Sequence, residues 1–176
     1  MADFNKVLEP GDYQNGEVNA VIDIPMGSTL KLEWDRERAC FMLDRAEPSI
    51  YPKPVNYGFI PQTLDEDGDE LDVLLVTTEP VPTGVYVPSK IVGVLNFEDD
   101  GEMDYKIVCV PADDRDTGDS IKTLADLGER WQRKIEEHFT HYKDLKKPGT
   151  TKVLGWGDLD EAKQVIAESI ERWNNR

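Results

Sequence analysis

From Glu17 to Ile24 apolar and polar side chains alternate: Val18, Ala20, Ile22 and Ile24 share one face, and Asn19, Val21 and Asp23 share the other. A period of two predicts a strand, with Asp23 projecting away from the isoleucine face and Pro25 closing the element. Residues 1–16, with Pro10, Gly11 and Gly16, read as an irregular lead-in. After an MGST turn, Leu30, Leu32 and Trp34 oppose Lys31, Glu33 and Asp35. This second strand puts a cation and a carboxylate on one face, either a solvated edge or the wall of a polar site. Ala39 to Asp44 predicts a third strand, followed by Arg45 and a loop stiffened by Pro48, Pro52 and Pro54. Asn56 to Ile60, Leu71 to Val76, Val85 to Val87, Lys90 to Phe97 and a run ending at Val110 continue the β pattern.

From Ser120 the period lengthens. Trp131, Ile135, His138, Phe139 and Tyr142 recur at helical spacing, which predicts an amphipathic helix of about Glu129 to Leu145, preceded by a short one around Ile121 to Leu127. His138 is expected to pack and His141 to be exposed; with no third nitrogen or sulfur ligand in view, the pair argues against zinc. Thr150 to Trp156 reads as a last short strand. Asp158 and Glu161 then form the N-cap and N3 pair of a capping box, and Ala162, Val165, Ile166, Ser169 and Trp173 mark the buried face of a C-terminal helix. Short strands followed by helices predict a single α+β domain over residues 1–176, built on a small barrel or a strongly bent sheet.

Two acidic turns interrupt this pattern. In Leu64 to Thr77 (LDEDGDELDVLLVT), Gly68 allows a tight reversal with Asp67 and Asp69 at its tip, and Asp72 sits at the mouth of the apolar run that follows. Carboxylates this close raise one another's pKa unless a cation sits among them. Oxygen-only ligands suit a hard cation, Mg²⁺ before Mn²⁺ or Ca²⁺. The rival readings are a solvated acidic hairpin and a calcium loop. A calcium loop started at Asp65 requires glycine and glutamate where Glu70 and Val76 stand. Glu98 to Lys106 (EDDGEMDYK) repeats the arrangement around Gly101, with Asp104 and Lys106 on one side of the next strand. Two such turns, each feeding an apolar strand, point to a shared multi-metal site.

The formal net charge is -16 over 176 residues. It argues against surfaces that track nucleic-acid phosphates or anionic lipid, and means that an anionic substrate needs local cations or metal. The apolar runs fall far short of the roughly 20 residues of a membrane span, and the N-terminus lacks a signal-peptide layout, so a cytoplasmic protein is expected. Cys40 and Cys109 lie in apolar runs and are expected to be two buried free thiols.

The residues Asp67-Gly68-Asp69-Glu70-Leu71-Asp72 followed by VLLV form a D-G-D-x-x-D motif ahead of an apolar strand, and IDIPMG, KLEWD, LDR (43–45), NYGFIPQT (56–63), DYKIV, HYKDL (141–145) and GWGD accompany it. In these motifs the chain from about Val18 to Trp173 resembles the soluble inorganic pyrophosphatases of the prokaryotic, Mg²⁺-dependent type. The resemblance implies a five-stranded OB-like β-barrel flanked by helices, including a C-terminal one, and hydrolysis of pyrophosphate to two orthophosphates. It assigns Asp67, Asp72 and Asp104 to a first metal, with Asp72 bridging to a second, and Asp99 and Asp104 to a metal that arrives with the substrate. Asp69 would orient and deprotonate the water held between two metals. Lys31, Arg45, Tyr57, Lys106, Tyr142 and Lys143 would grip the phosphates, with Glu33 in support. Several Mg²⁺ per site are implied, with Mn²⁺ or Zn²⁺ as possible substitutes, and a homohexamer is expected.

Asp23 stands where that family usually carries glutamate, and Lys53 where it usually carries a tyrosine. Tyr51 could fill the tyrosine's role if the proline-rich loop shifts by two residues. Lys53 then either adds a cation near the outgoing phosphate or faces solvent. Counting Asp23, Glu33 and the five aspartates of the two turns against Lys31, Arg45, Lys106 and Lys143 leaves the proposed site at -3. Such a site repels pyrophosphate until divalent cations enter it. The alternatives are a relative acting on another phosphoanhydride, a non-catalytic metal-binding relative, and a nucleic-acid module, which the acidic balance opposes.

Overall fold

The strand expected first in the chain forms the seam of the sheet. In this computed structural model, which describes residues 3–116 and 120–176, β1 (Glu17–Ile24) pairs antiparallel with β4 (Asn56–Phe59) on one side and with β6 (Tyr86–Asp99) on the other. Strand β4 pairs with β5 (Asp72–Leu75), β5 runs parallel to β8 (Lys106–Pro111), and β8 is antiparallel to β6. The hydrogen-bonded order β1-β4-β5-β8-β6 therefore returns to β1. The end of β6 also carries β7 (Glu102–Met103) and β9 (Thr151–Gly157), while β2 (Leu30–Asp35) and β3 (Cys40–Ala46) form a separate hairpin. Among the described residues, four α-helices complete a mixed α+β fold: α1 (Phe4–Val7), α2 (Leu124–Leu127), α3 (Glu129–His141) and the C-terminal α4 (Leu159–Asn174).

Strand β5 shows why the apolar runs lack alternation. Val73 and Leu75 pack with Ala162, Val165 and Ile166 of α4, whereas Leu74 packs with Ile135 and Phe139 of α3. A strand covered on both faces needs apolar side chains at successive positions. The same holds for β1, whose second face, Val21 with Phe59, lies under Trp34 of the hairpin and Phe4 of α1. Gly58 fits at the β1–β4 seam because a Cβ there would lie 1.9 Å from the Val21 carbonyl oxygen.

Several expectations are corrected. The lead-in is partly helical: Asp3 caps α1, a 3₁₀ turn spans Tyr13–Asn15, and the Phe4 ring sits 4.8 Å from that of Trp34. Its first two residues lie outside the described ones. Cys40 is only half-buried because β3 lies at the periphery, whereas Cys109 is buried and its thiol is pushed up to about 12 by that burial. Helix α3 stops at His141, short of Leu145, because Leu145 is exposed and offers no core contact. Three-residue turns take over beyond it, with Asp144 N–H donating to His141 and Lys146 N–H to Lys143. Asp158 caps α4 by accepting from Asp160 and Glu161 N–H, but the Glu161 carboxylate turns to Asn96 Nδ2 at 2.6 Å rather than closing a capping box.

His138 packs as expected. It stacks on Tyr142 at 5.6 Å, its Nε2 has no partner among the described residues, and burial, then Lys53, depress its pKa to about 3. The folded protein thus excludes a proton that the unfolded chain takes up below about pH 6.5. The resulting contribution to stability is complete above that pH and drains away as pH falls toward 3. Urea unfolding at pH 7.5 and 5.5 is expected to show wild type losing more stability than His138→Phe, at a limiting slope of roughly 1.4 kcal/mol per pH unit. Equal losses in both proteins would mean that His138 is already charged in the fold.

Candidate active site

The parallel pairing of β5 and β8 decides where the acidic turns go. Asp72 and Lys106 each open their strand and stand in register, so the turns before them emerge at the same end of the sheet. Each reversal uses a glycine in the left-handed region, Gly68 at φ 88° and Gly101 at φ 90°. In the first turn Asp69 N–H donates to Asp67 Oδ1 at 3.0 Å. Asp65, beneath that turn, accepts from Tyr105 N–H at 2.9 Å, and so joins it to the residue between Asp104 and Lys106. Burial raises the Asp65 carboxyl to about 7. Helix α4 grips the same segment: Leu64 N–H donates to Ser169, and Arg172 donates to the Leu64 carbonyl at 3.2 Å while lying 3.7 Å from Asp65.

Asp67, Asp69, Asp72, Asp99 and Asp104 line one cleft of about 200 Å³ together with Lys31, Glu33, Arg45, Lys53, Tyr57, Tyr142, Lys143 and Asp23. The β2–β3 hairpin supplies one wall, placing Lys31 opposite Arg45 at a register shift that follows Lys31. The end of α3 and the turn after it supply Tyr142 and Lys143. Asp23 reaches the cleft from a bulge: β1–β4 pairing steps from Ile22↔Gly58 to Ile24↔Tyr57 and leaves Asp23 as the extra residue. Its carboxyl is buried, and its pKa is raised well above the usual range by that burial, then by Asp72 and Glu70. Lys106 does not line the cleft. It lies beneath, 1% exposed, with Nζ 2.7 Å from both Asp72 and Asp104.

Carboxylates and cations are interleaved throughout. Lys31 bonds Glu33, Arg45 bonds Asp44 and Glu47, Lys143 bonds Asp99, and the Tyr57 hydroxyl donates to Asp72. Burial pulls the Lys106 ammonium down, but Asp104 and Asp72 outweigh it and hold the group charged. Burial raises Asp104 despite the same lysine. As buried Asp23 does, the Asp69 carboxylate stands without a hydrogen bond or ion pair among the described residues, unlike those of Asp67, Asp72, Asp99 and Asp104. Although exposed, it is raised above the usual carboxylate range, first by desolvation of its cleft side and then by Asp67, Glu70 and Glu33.

The donor set consists of carboxylate oxygens, as a hard divalent cation requires. Among the described residues no three acidic, imidazole or thiol groups converge tightly enough to make a ready metal cage. The lysines explain this, since Lys106 and Lys143 draw Asp72, Asp104 and Asp99 onto themselves. Oδ1 of Asp99 and Oδ1 of Asp23 are buried without a partner among the described residues, as oxygens awaiting a cation would be. The residues therefore fit such an ion.

Tyr51 does not enter the cleft; it packs against His138, 6.5 Å between rings, and Lys53 takes the inner position. Four residues that sequence reasoning passed over support the site. Glu47 and Asp44 hold Arg45, Asp65 joins the two turns, and Glu70 is held by Arg36 and Asn5. Only Glu47 carried a local signal, since residues two apart along a strand share a face.

The profile of the inorganic pyrophosphatase family matches residues 20–174. The inorganic pyrophosphatase of Neisseria meningitidis serogroup B is 63% identical over 176 residues, covering 100% of this chain and 99% of that protein. That of Haemophilus influenzae is 62% identical, with 100% of both chains covered. The crystal structure of an inorganic pyrophosphatase from Neisseria gonorrhoeae superposes with a TM-score of 0.97 at 63% identity, covering 98% of this chain and 99% of that one.

Proposed function

The chain belongs to the inorganic pyrophosphatase family and hydrolyses pyrophosphate to two orthophosphates with divalent metal, and we propose that the acidic cleft is where it does so. The observation that carries this reading is the β5–β8 register, which gathers both acidic turns opposite Lys31, Arg45 and Lys143. A volume of about 200 Å³ suits a small anion, being below the range of pockets that enclose drug-sized ligands.

Asp67, Asp72 and Asp104 hold one cation in this reading, and Asp99 with Asp104 another, Mg²⁺ being the ion that hard oxygen donors favour. When bound, such ions supply neutralising charge for the phosphates and lower the pKa of water. Asp69, exposed and without a partner among the described residues, accepts the proton of the attacking water. Lys31, Arg45, Tyr142 and Lys143 orient the phosphates, Glu33 keeps Lys31 in place, and Tyr57 and Lys106 fix Asp72. Phosphoryl transfer needs positioning and charge stabilisation more than covalent help, which this arrangement provides. The reading extends to a five-stranded OB-like barrel in one domain, a homohexamer and a cytoplasmic setting. No described helix is long and apolar enough to cross a membrane.

Phosphate release from pyrophosphate, measured beside ATP and tripolyphosphate, tests it. Release from pyrophosphate is expected to stop with a chelator and return with excess Mg²⁺. Silence under every divalent ion tried would end the reading.

A further inference from the structure

Lys53 is 7% exposed and lines the cleft, and its ammonium lies over aromatic rings, with Nζ 4.4 Å from the Tyr57 centroid, 5.2 Å from Tyr142 and 5.5 Å from Phe139. Every other cation of the site is engaged: Lys31 by Glu33, Arg45 by Asp44 and Glu47, Lys143 by Asp99, and Lys106 by Asp72 and Asp104. Nζ of Lys53 has no hydrogen-bond acceptor and no carboxylate within ion-pairing distance among the described residues. Ring faces attract a cation but do not replace its lost water, so a buried ammonium held by them alone is left under-solvated.

The root of this side chain is fixed. Lys53 N–H donates to Ser28 at 2.9 Å, its carbonyl accepts from Gly27 N–H at 2.8 Å, and Pro52 and Pro54 flank it. The ammonium is therefore placed before any ligand arrives, and meeting an anion breaks no existing ion pair.

We propose that Lys53 is a direct ligand of a pyrophosphate oxygen, a further substrate-binding cation in the place where the resembled family usually has a tyrosine. This rests on the cleft being the pyrophosphate site and adds to it a contact that the phosphate-gripping set did not include. Burial, then Lys106, bring the Lys53 pKa down to about 7, against the opposing pull of Asp72 and Glu47. A bound phosphate supplies the counter-charge that favours the ammonium form.

The test compares wild type with Lys53→Met, which keeps the stem and removes the charge, and with Lys53→Arg. Steady-state hydrolysis at saturating Mg²⁺ is read alongside calorimetric binding of methylenediphosphonate, the non-hydrolysable CH₂-bridged analogue. Lys53→Met is expected to raise KM and the analogue's Kd together, by about tenfold or more, as the loss of one charge-assisted hydrogen bond would. Its kcat and its Mg²⁺ affinity without the analogue are expected to stay near wild type, and Lys53→Arg to recover part of the loss. If Lys53→Met fails to fold, Lys53→Gln carries the same comparison. An active variant with unchanged KM and unchanged Kd would overturn the assignment and leave the site reading intact. Failure of the site reading would instead show in wild type, as no metal-dependent release of phosphate.

Discussion

Replacing Asp69 by Asn is expected to lower kcat for pyrophosphate about 10²–10⁴-fold, the range lost with a positioned general base. Asp69 is set apart from the other aspartates of the two turns by what already occupies them. Asp72 and Asp104 hold Lys106, Asp99 holds Lys143, and Asp67 accepts from the Asp69 amide. Asp69 keeps its oxygens free at the tip of a turn that is pinned where Asp65 N–H donates to the Asp69 carbonyl at 2.8 Å. Its raised pKa makes it the better proton acceptor. Asparagine keeps the shape and loses that capacity, so Mg²⁺ binding measured by calorimetry is expected to survive while phosphate release collapses. A variant retaining kcat within about tenfold of wild type would remove Asp69 from the role, because a general base supplies more than that.

The largest stability change is expected from Lys106→Met. This lysine is enclosed, and its ammonium also lies 3.1 Å from the Tyr57 hydroxyl and 5.0 Å from the Phe97 ring. Removing it leaves Asp72 and Asp104 facing each other without a cation. Breaking a buried ion pair from one side typically costs about 3–5 kcal/mol, far more than replacing the whole pair by apolar groups. Urea denaturation without metal is expected to show a deficit of that size. Excess Mg²⁺ is expected to narrow it, because a cation bound only by the folded protein stabilises it by mass action. A variant as stable as wild type in chelator would mean that the carboxylates discharge by taking up a proton at little cost.

Much of this arrangement is local and was legible. The amphipathic face of α3 and that of α4 follow from a 3.6-residue period, and each acidic turn from a glycine among aspartates. What escaped depends on pairing between distant segments. Alternation along β1 set Asp23 apart from the isoleucine face and the resemblance put it in the site, but the bulge and the overlying hairpin that carry it into the cleft had no local signal. Nothing near residue 72 announces that its strand will lie beside residue 106 in parallel. Helix α1 is too short for a helical period to appear, and its residues are held by Phe4 packing on Trp34 rather than by propensity. Cys40 was misjudged because an apolar run of strand length does not say whether anything covers it.

The grip of α4 on the first acidic turn has a consequence for the order of assembly. Arg172 and the Leu64 carbonyl it holds are 108 positions apart, so a ribosome has made both acidic turns well before it makes their clasp. Until α4 docks, Leu64 lacks its Ser169 partner and Asp65 lacks a neighbouring guanidinium. Pyrophosphatase competence is thus expected to wait until α4 has been made and has docked, and proteolytic trimming of α4 to cost the enzyme its metal affinity before its sheet.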